Sequence, residues 1–227
     1  PESSSAFAFG HDLMRAVLYD ALSPAERRHW HIKVAEVLER RSELGHPSPP
    51  SELAYHLHAG LPESDLRKTV HYCRLASAAA ATVFANTDLV RYLHHALEAL
   101  DLLEKPSARL RLSLWYTITI YGRGQPALDY VHALNEVIRL AREQGYPIVM
   151  VRAALMFNAY PGFKPIAGAR ATLEHALDLL SPEVPSARSL VLSARACTGP
   201  HRYGAEQRRA PLAEAEPLAR NSGSRAA

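Results

Sequence analysis

The stretch Leu93-His94-His95-Ala96-Leu97-Glu98-Ala99-Leu100 decides the fold, because its apolar residues at positions 93, 96, 97 and 100 share one helix face. The same spacing recurs as Leu134-x-x-Val137-Ile138-x-x-Ala141, Leu173-x-x-Ala176-Leu177-x-x-Leu180 and Leu212-x-x-Ala215-Glu216-x-x-Ala219. The first leucines of successive copies are 41, 39 and 39 residues apart. A period of about 40 residues holds two helices and two turns, so the repeat predicts a series of helical hairpins.

A single hairpin of this kind cannot bury its apolar stripe alone, so neighbouring hairpins are expected to stack into a solenoid. Small Ala or Val residues beside Leu allow adjacent helices to approach closely. The alternative is an ordinary helical bundle whose Leu- and Ala-rich helices resemble each other by composition. The fourth copy departs most from the pattern, with Glu216 at an apolar position and Pro217 inside the helical spacing.

Composition agrees with an all-α fold. Of the 227 residues, 48% are hydrophobic and only 7% aromatic, with Leu and Ala dominating, which favours packed helices over sheets. The net charge is +3, and no basic run is interleaved with aromatic residues. Direct nucleic-acid binding is therefore not expected, because no helix carries the cluster of basic and amide side chains that reads base edges.

Cysteine usage and hydropathy predict a cytoplasmic protein without a membrane span. Cys73 and Cys197 are far apart and neither forms a C-x-x-C pair. The longest largely apolar stretch, residues 75–85, is shorter than the roughly 20 residues that cross a bilayer. The chain begins without Met and stops at Ala227, where a further repeat would begin, which predicts an excerpt of a longer protein.

Local signals place the elements along the chain. Residues 5–11 alternate like a short strand, and Ser23 and Glu26 form a capping box before a helix to about residue 43 with the stripe Trp30, Val34, Val37 and Leu38. The Gly- and Pro-rich residues 45–50 predict a linker and a module boundary. The other predicted helices are 12–22, 51–59, 64–84, 86–105, 107–121, 126–143, 147–159, 166–180, 186–198 and 204–221.

The amino-terminal part carries an ordered set of motifs. These are Phe7-x-Phe9-x-His11-Asp12-Leu13, Leu22-Ser23-Pro24-Ala25-x-Arg27, His31-x-x-Val34-Ala35-x-x-Leu38-Glu39 and Glu52-Leu53-Ala54-Tyr55-His56-x-x-Ala59-Gly60. Their succession resembles the part that follows the ATPase core in STAND-type (AAA-like) regulatory ATPases, including large ATP-binding LuxR-type transcriptional regulators and ATPases linked to cyclase or kinase domains. The resemblance extends by period through the repeats.

The resemblance implies a domain plan and a role. Residues 1–45 would be the trailing part of a winged-helix segment with its connecting helices, and residues 50–227 would be tetratricopeptide-like repeats in a right-handed solenoid. The parent would be a bacterial signal-transduction ATPase, with the ATPase domain upstream in cis and a protein partner or small effector held in the solenoid groove. The alternative function is a free-standing scaffold of such repeats that binds other proteins.

No catalytic, cofactor or metal residue can be nominated from the sequence, so the chain itself is not expected to be an enzyme. It contains no G-x-x-x-x-G-K-[ST], so the phosphate-binding loop of the family cannot be placed on any position here. The pairs His29-x-His31 and His56-x-His58 point their rings about 200° apart on a helix and cannot chelate one ion. His11, His31 and His56 are interpreted as packing or capping residues.

The partner-binding candidates are aromatic residues spread over the middle repeats. They are Tyr116, Tyr121, Tyr130, Phe157 and Tyr160. Such residues either line the groove in which a helical solenoid holds its ligand or fill the core between repeats. The core interpretation is favoured for most of them, and the groove interpretation stays open for the rest.

Overall fold

The computed structural model describes residues 12–123, 130–158, 169–180, 188, 190–192 and 205–221. The fold is all-α, as the composition predicted, and the described residues contain no strand. The helices are α1 (Asp12–Ala21), α2 (Pro24–Glu43), α3 (Pro50–Ala59), α4 (Leu66–Thr82), α5 (Asn86–Asp101), α6 (Ala108–Tyr121), α7 (Tyr130–Glu143), α8 (Pro147–Asn158), α9 (Ala169–Leu179) and α10 (Ala205–Asn221). The predicted strand at residues 5–11 lies outside the described part.

Capping side chains fix where several of these helices begin. The predicted capping box is present: the Ser23 hydroxyl accepts from the Glu26 N–H, and the Ser23 N–H donates to the Glu26 carboxylate at 2.8 Å. Asp65 caps α4 by accepting from two backbone N–H groups, and Ser107 caps α6. These polar groups satisfy donors that would otherwise lack intrahelical partners.

The chain divides into two compact units, unit 1 (Pro1–Pro106) and unit 2 (Ser107–Ala227). In unit 1, α2 packs on α3, α3 on α4 and α4 on α5. In unit 2, α6 packs on α7, α7 on α8 and α8 on α9. The linker predicted at residues 45–50 does separate two helices, but α2 and α3 on its two sides belong to one unit. Assignment of residues 1–45 to a winged-helix segment stays a prediction.

The repeated motif occupies every second helix from α5 to α9. Its residues in α5 are all buried, and in α7 and α9 each is buried or packs against the buried cluster of unit 2. In α10, which continues through Pro211 and Pro217, Ala215 is buried while Leu212 is 46% exposed. The fourth copy therefore differs in packing as well as in sequence.

The predicted inward stripe of α2 is wrong in three of its four residues. Trp30, Val34 and Val37 are exposed. The buried row is His31, Ala35 and Leu38, which shares only Leu38 with the prediction. The small side chain of Ala35 lets α3 approach, and Gly60 at the end of α3 is close enough to Ile32 that a Cβ there would lie 2.8 Å from it.

Candidate functional site

The five aromatic candidates separate by burial. Tyr130 is 7% exposed and belongs to the core of unit 2, whereas Tyr121 is exposed at the end of α6. Tyr116 is half-buried and packs against the same core. The side chain of Phe157 and the whole of Tyr160 lie outside the described residues. Among the described candidates, Tyr116 has the position that suits a binding residue.

Tyr116 lines a cavity of about 210 Å³ in unit 2. Helix α6 contributes Arg109, Leu112, Ser113 and Tyr116, and the start of α8 contributes Tyr146 and Val149. Helix α7 packs on both α6 and α8, so the cavity forms where the two flanking helices face each other. We refer to it as the α6–α8 cavity.

The turn before α8 directs Tyr146 to the cavity. Helix α7 ends at Glu143, and two residues later Gly145 has a φ of +70°, a conformation that side chains disfavour. The N–H of Tyr146 then donates to the Ala141 carbonyl at 2.8 Å, and the Gly145 N–H donates to Arg142. The Gln144 amide donates to the Ala108 carbonyl at 3.1 Å and ties this turn to the start of α6. The cavity edge is thus held by backbone geometry.

The lining combines an apolar floor with polar groups at the edge. Leu112 and Val149 supply aliphatic surface, the two tyrosines supply rings with hydroxyl groups, and Arg109 supplies exposed guanidinium donors. Its volume is below the roughly 300 Å³ at which pockets for whole small molecules begin. The cavity therefore suits one large apolar side chain with a carboxylate beside it.

Unit 1 contains two histidine pairs that link its helices. His31 Nδ1 of α2 and His56 Nδ1 of α3 lie 2.9 Å apart, and His31 Nε2 lies 2.9 Å from the Tyr19 hydroxyl. His58 of α3 stacks on His95 of α5, with ring centroids 3.6 Å apart. His56 and His58 are two residues apart on α3, so they lie on different faces of that helix and contact different helices.

The environment of His31, His56 and His95 favours their neutral forms. Burial lowers the pKa of His31, and burial together with the nearby His31 lowers the pKa of His56. Burial and the adjacent His58 lower the pKa of His95 to about 4. A neutral His31 donates from one ring nitrogen and accepts at the other, so both of its hydrogen bonds form without charge. His31 and His56 pack between helices, as predicted, and His11 lies outside the described residues.

Two kinds of reactive group, a nucleophilic thiolate and a metal centre, can be assessed in the described residues. Burial raises the pKa of the Cys73 thiol to about 12, so the nucleophilic thiolate is scarce at neutral pH. In the described ranges, no group of three or more His, Cys, Asp or Glu side chains is placed to hold a metal ion. None of the helices described is both long and apolar enough to cross a membrane.

The chain has no match among protein-family models, curated proteins or solved structures. Its function is therefore argued from its own geometry. Sequence reasoning found Tyr116 but missed Arg109, seven residues earlier on the same helix, and Tyr146, which meets them only because α6 and α8 both pack on α7. The Gly145 turn was a usable signal, since the residue after such a glycine lies at the start of the next helix.

Proposed function

We propose that this chain is the partner-sensing segment of a signal-transduction ATPase, with a transcriptional regulator as the parent that the sequence resemblance favours. The observation that carries the proposal is the α6–α8 cavity, set in helices that pack in chain order. The hairpins would continue as a right-handed, tetratricopeptide-like solenoid. The nucleotide would be bound by a domain upstream in the parent.

The cavity favours a protein partner over a complete small molecule. Its volume of about 210 Å³ suits one anchoring side chain. Arg109 at the edge would pair with a carboxylate of the same partner segment. Binding would bias the ATPase only to the extent that the partner has different affinities for the off and on states.

The test uses the full-length parent protein and its ATP turnover. Addition of a soluble extract from the source cells is expected to change turnover in the unmodified protein. Arg109→Gln and Tyr146→Ala should abolish that response, because they remove the carboxylate partner and one cavity wall. Tyr121→Phe, on the exposed end of α6 outside the cavity, is the matched control and should respond normally. An equal response in all variants would refute the role of the cavity.

A second experiment tests the ATPase assignment itself. This chain alone should give no saturable heat with ATP in calorimetry, and the reading frame upstream of Pro1 should encode a phosphate-binding loop. ATP binding by the isolated chain would contradict the proposal.

A free-standing scaffold is the second candidate, and the division into two compact units favours it. Two units with separate surfaces could hold two partners. A start codon immediately before Pro1, in place of an upstream ATPase, would decide for the scaffold.

A further inference from the structure

Helix α2 and its C-cap residue Leu44 expose an apolar row about 100° around the helix from its buried residues. Trp30, Val34, Val37 and Leu44 are 57%, 38%, 55% and 72% exposed. Together with Arg41, which lies between Val37 and Leu44, they follow steps of four and three residues. We call these five residues the α2 seam. Steps of four and three are the spacing by which one helix packs along another in a coiled coil.

We propose that the α2 seam is the docking surface for an amphipathic helix of a partner protein whose apolar stripe is flanked by acidic residues. The surface lies in unit 1 and is separate from the α6–α8 cavity, so each proposal can fail without the other.

The position of the seam excludes it from the core of unit 1. Successive residues are rotated by about 100° in a helix, so Trp30 and the buried His31 belong to different faces. The face of His31, Ala35 and Leu38 is already occupied by packing in unit 1. The seam is a second apolar row on the same helix, and it has no occupant among the described residues.

The shape of the row favours a helix over a lipid surface. A helix lying on a membrane presents a wide apolar face, whereas a seam with apolar residues at two positions in seven is narrow. Here the charged Lys33 lies about 60° from Trp30, and Arg41 lies within the row itself. A polar residue at one seam position typically fixes the register of two packed helices.

The charges beside the seam select an acidic partner. Arg40 and Arg41 are exposed and have no ion pair with any residue of the described ranges, and Lys33 pairs only with Glu36 of its own helix. The acidic residues of α2 are used elsewhere or face away: Glu26 closes the capping box, Glu39 binds Lys68, and Glu43 lies about 120° from Val37.

A second copy of this chain fits the seam poorly. Antiparallel packing of two α2 helices would bring Lys33 of each copy near Arg40 of the other, and like charges across a helix pair are destabilising. Parallel packing would place each arginine opposite the same arginine of the other copy. A helix with Glu or Asp beside its apolar stripe would instead pair with these cations.

Binding is measurable through Trp30 itself. The chain has two tryptophans, so a Trp115→Phe variant leaves Trp30 as its only tryptophan, which can be excited selectively at wavelengths where tyrosine does not absorb. The probe is a peptide of about 21 residues with Leu at the two seam positions and Glu at the flanking positions of each heptad. The control peptide has Lys in place of Glu. Like-charged flanks keep each peptide from pairing with itself.

The acidic peptide is expected to shift Trp30 emission to shorter wavelength, saturably and at least about tenfold more tightly than the basic peptide. Val37→Asp should abolish the shift, and the double change Arg40→Glu with Arg41→Glu should reverse the preference. Leu75→Asp, an exposed apolar position on α4, is the matched control and should bind normally. Circular dichroism verifies that each variant is folded.

Three results would overturn the proposal. The first is equal binding of both peptides, or of neither. The second is binding to vesicles of phosphatidylglycerol in the absence of any acidic-peptide binding, which would make the seam a lipid surface. The third is a dimer of the chain alone, measured by light scattering, that Val37→Asp dissociates.

Discussion

The two compact units of the chain bury different kinds of side chain. The core of unit 2 is mainly aliphatic, with Leu134, Met150 and Leu173 among residues of no measurable exposure, although Tyr130 and Thr119 are buried too. In unit 1 the buried set includes His31, and half-buried histidines join α3 to α2 and α5. An aliphatic core draws its stability from buried area, whereas imidazole contacts between helices depend on protonation. Acid should therefore reduce the stability of the two units to different extents, whereas truncation of a buried aliphatic side chain should destabilise either unit.

The largest predicted effect is the loss of a core leucine from unit 2. Leu134→Ala should reduce the free energy of unfolding of this unit by about 2–5 kcal/mol, because a fully buried side chain leaves a cavity in a close-packed core. Backbone hydrogen exchange followed by mass spectrometry reports each unit separately. Leu179→Ala, at an exposed position of α9, is the control and should change little.

The same experiment tests whether the two units are independent. If unit 1 amides exchange faster in Leu134→Ala by the same factor as unit 2 amides, the chain unfolds as one cooperative body. The contrast between the units would then have no thermodynamic meaning.

The next largest effect is acid destabilisation of unit 1. In the unfolded chain a histidine has a pKa near 6.5, while burial and His58 lower the pKa of folded His95 to about 4. Between these values the unfolded state binds more protons, so stability falls as pH falls through this window. One such proton gives at most about 1.4 kcal/mol per pH unit. This loss of stability is measured by urea unfolding followed by hydrogen exchange, at about pH 7 and about pH 5.

The variant His95→Phe sharpens this prediction. A phenyl ring can stack on His58 but does not titrate, so the pH dependence of unit 1 should become shallower. The other groups acting on His95 are Glu98, Arg91 and His94 of α5, and Glu98 also bonds His58 at 2.6 Å. They remain in the variant. An unchanged pH dependence would show that the histidine stack does not carry it.

Much of the helical plan was predictable from local signals. These signals are local, because each acts on residues only a few positions away. They are the capping box of Ser23 and Glu26, the prolines Pro24 and Pro50 at helix starts, and Gly60 at a helix end. Helix bounds therefore agree with the prediction to within a few residues in the described part.

Features that depend on two distant segments were not predictable. Helix α2 has two rows with apolar character, and periodicity alone cannot tell which of them α3 covers. His58 and His95 are 37 residues apart, as are Arg109 and Tyr146, and each pair meets only through helix packing. For this reason the sequence identified Tyr116 as a candidate but not the cavity around it.

A smaller effect is predicted at matched turns of the two units. The turn after α4 and the turn after α7 share two backbone hydrogen bonds, those donated by the left-handed residue and by the residue after it. The left-handed position is held by Phe84 in unit 1 and by Gly145 in unit 2. Phe84 has a φ of +56° and is 87% exposed. A bulky residue there costs about 1–2 kcal/mol, so Phe84→Gly should stabilise unit 1.

The net gain should be about 0.5–1 kcal/mol, because glycine also raises the entropy of the unfolded chain. Thermal unfolding measures it, and Gly145→Ala is the reciprocal variant that should destabilise unit 2. A loss of stability in Phe84→Gly would mean that the exposed ring makes contacts that outweigh the backbone strain.

The smallest predicted effect concerns surface ion pairs, where the two units should behave alike. Arg139 of unit 2 binds Glu136 at 2.7 Å and Glu143 at 2.8 Å, but it is half exposed, so Arg139→Gln should cost about 0.2–1 kcal/mol. Lys33→Gln in unit 1 removes a single exposed pair and should cost less. Both losses should disappear in about 1 M salt, where the screening length is about 3 Å. Urea unfolding at low and high salt measures this, and a salt-resistant loss at Arg139 would mean that its side chain acts through packing. If both losses are small and screened, the difference between the units originates in their interiors. Removing a surface charge would then perturb both units alike, while the pH dependence that begins near the ordinary histidine pKa would be carried mainly by the histidine contacts of unit 1.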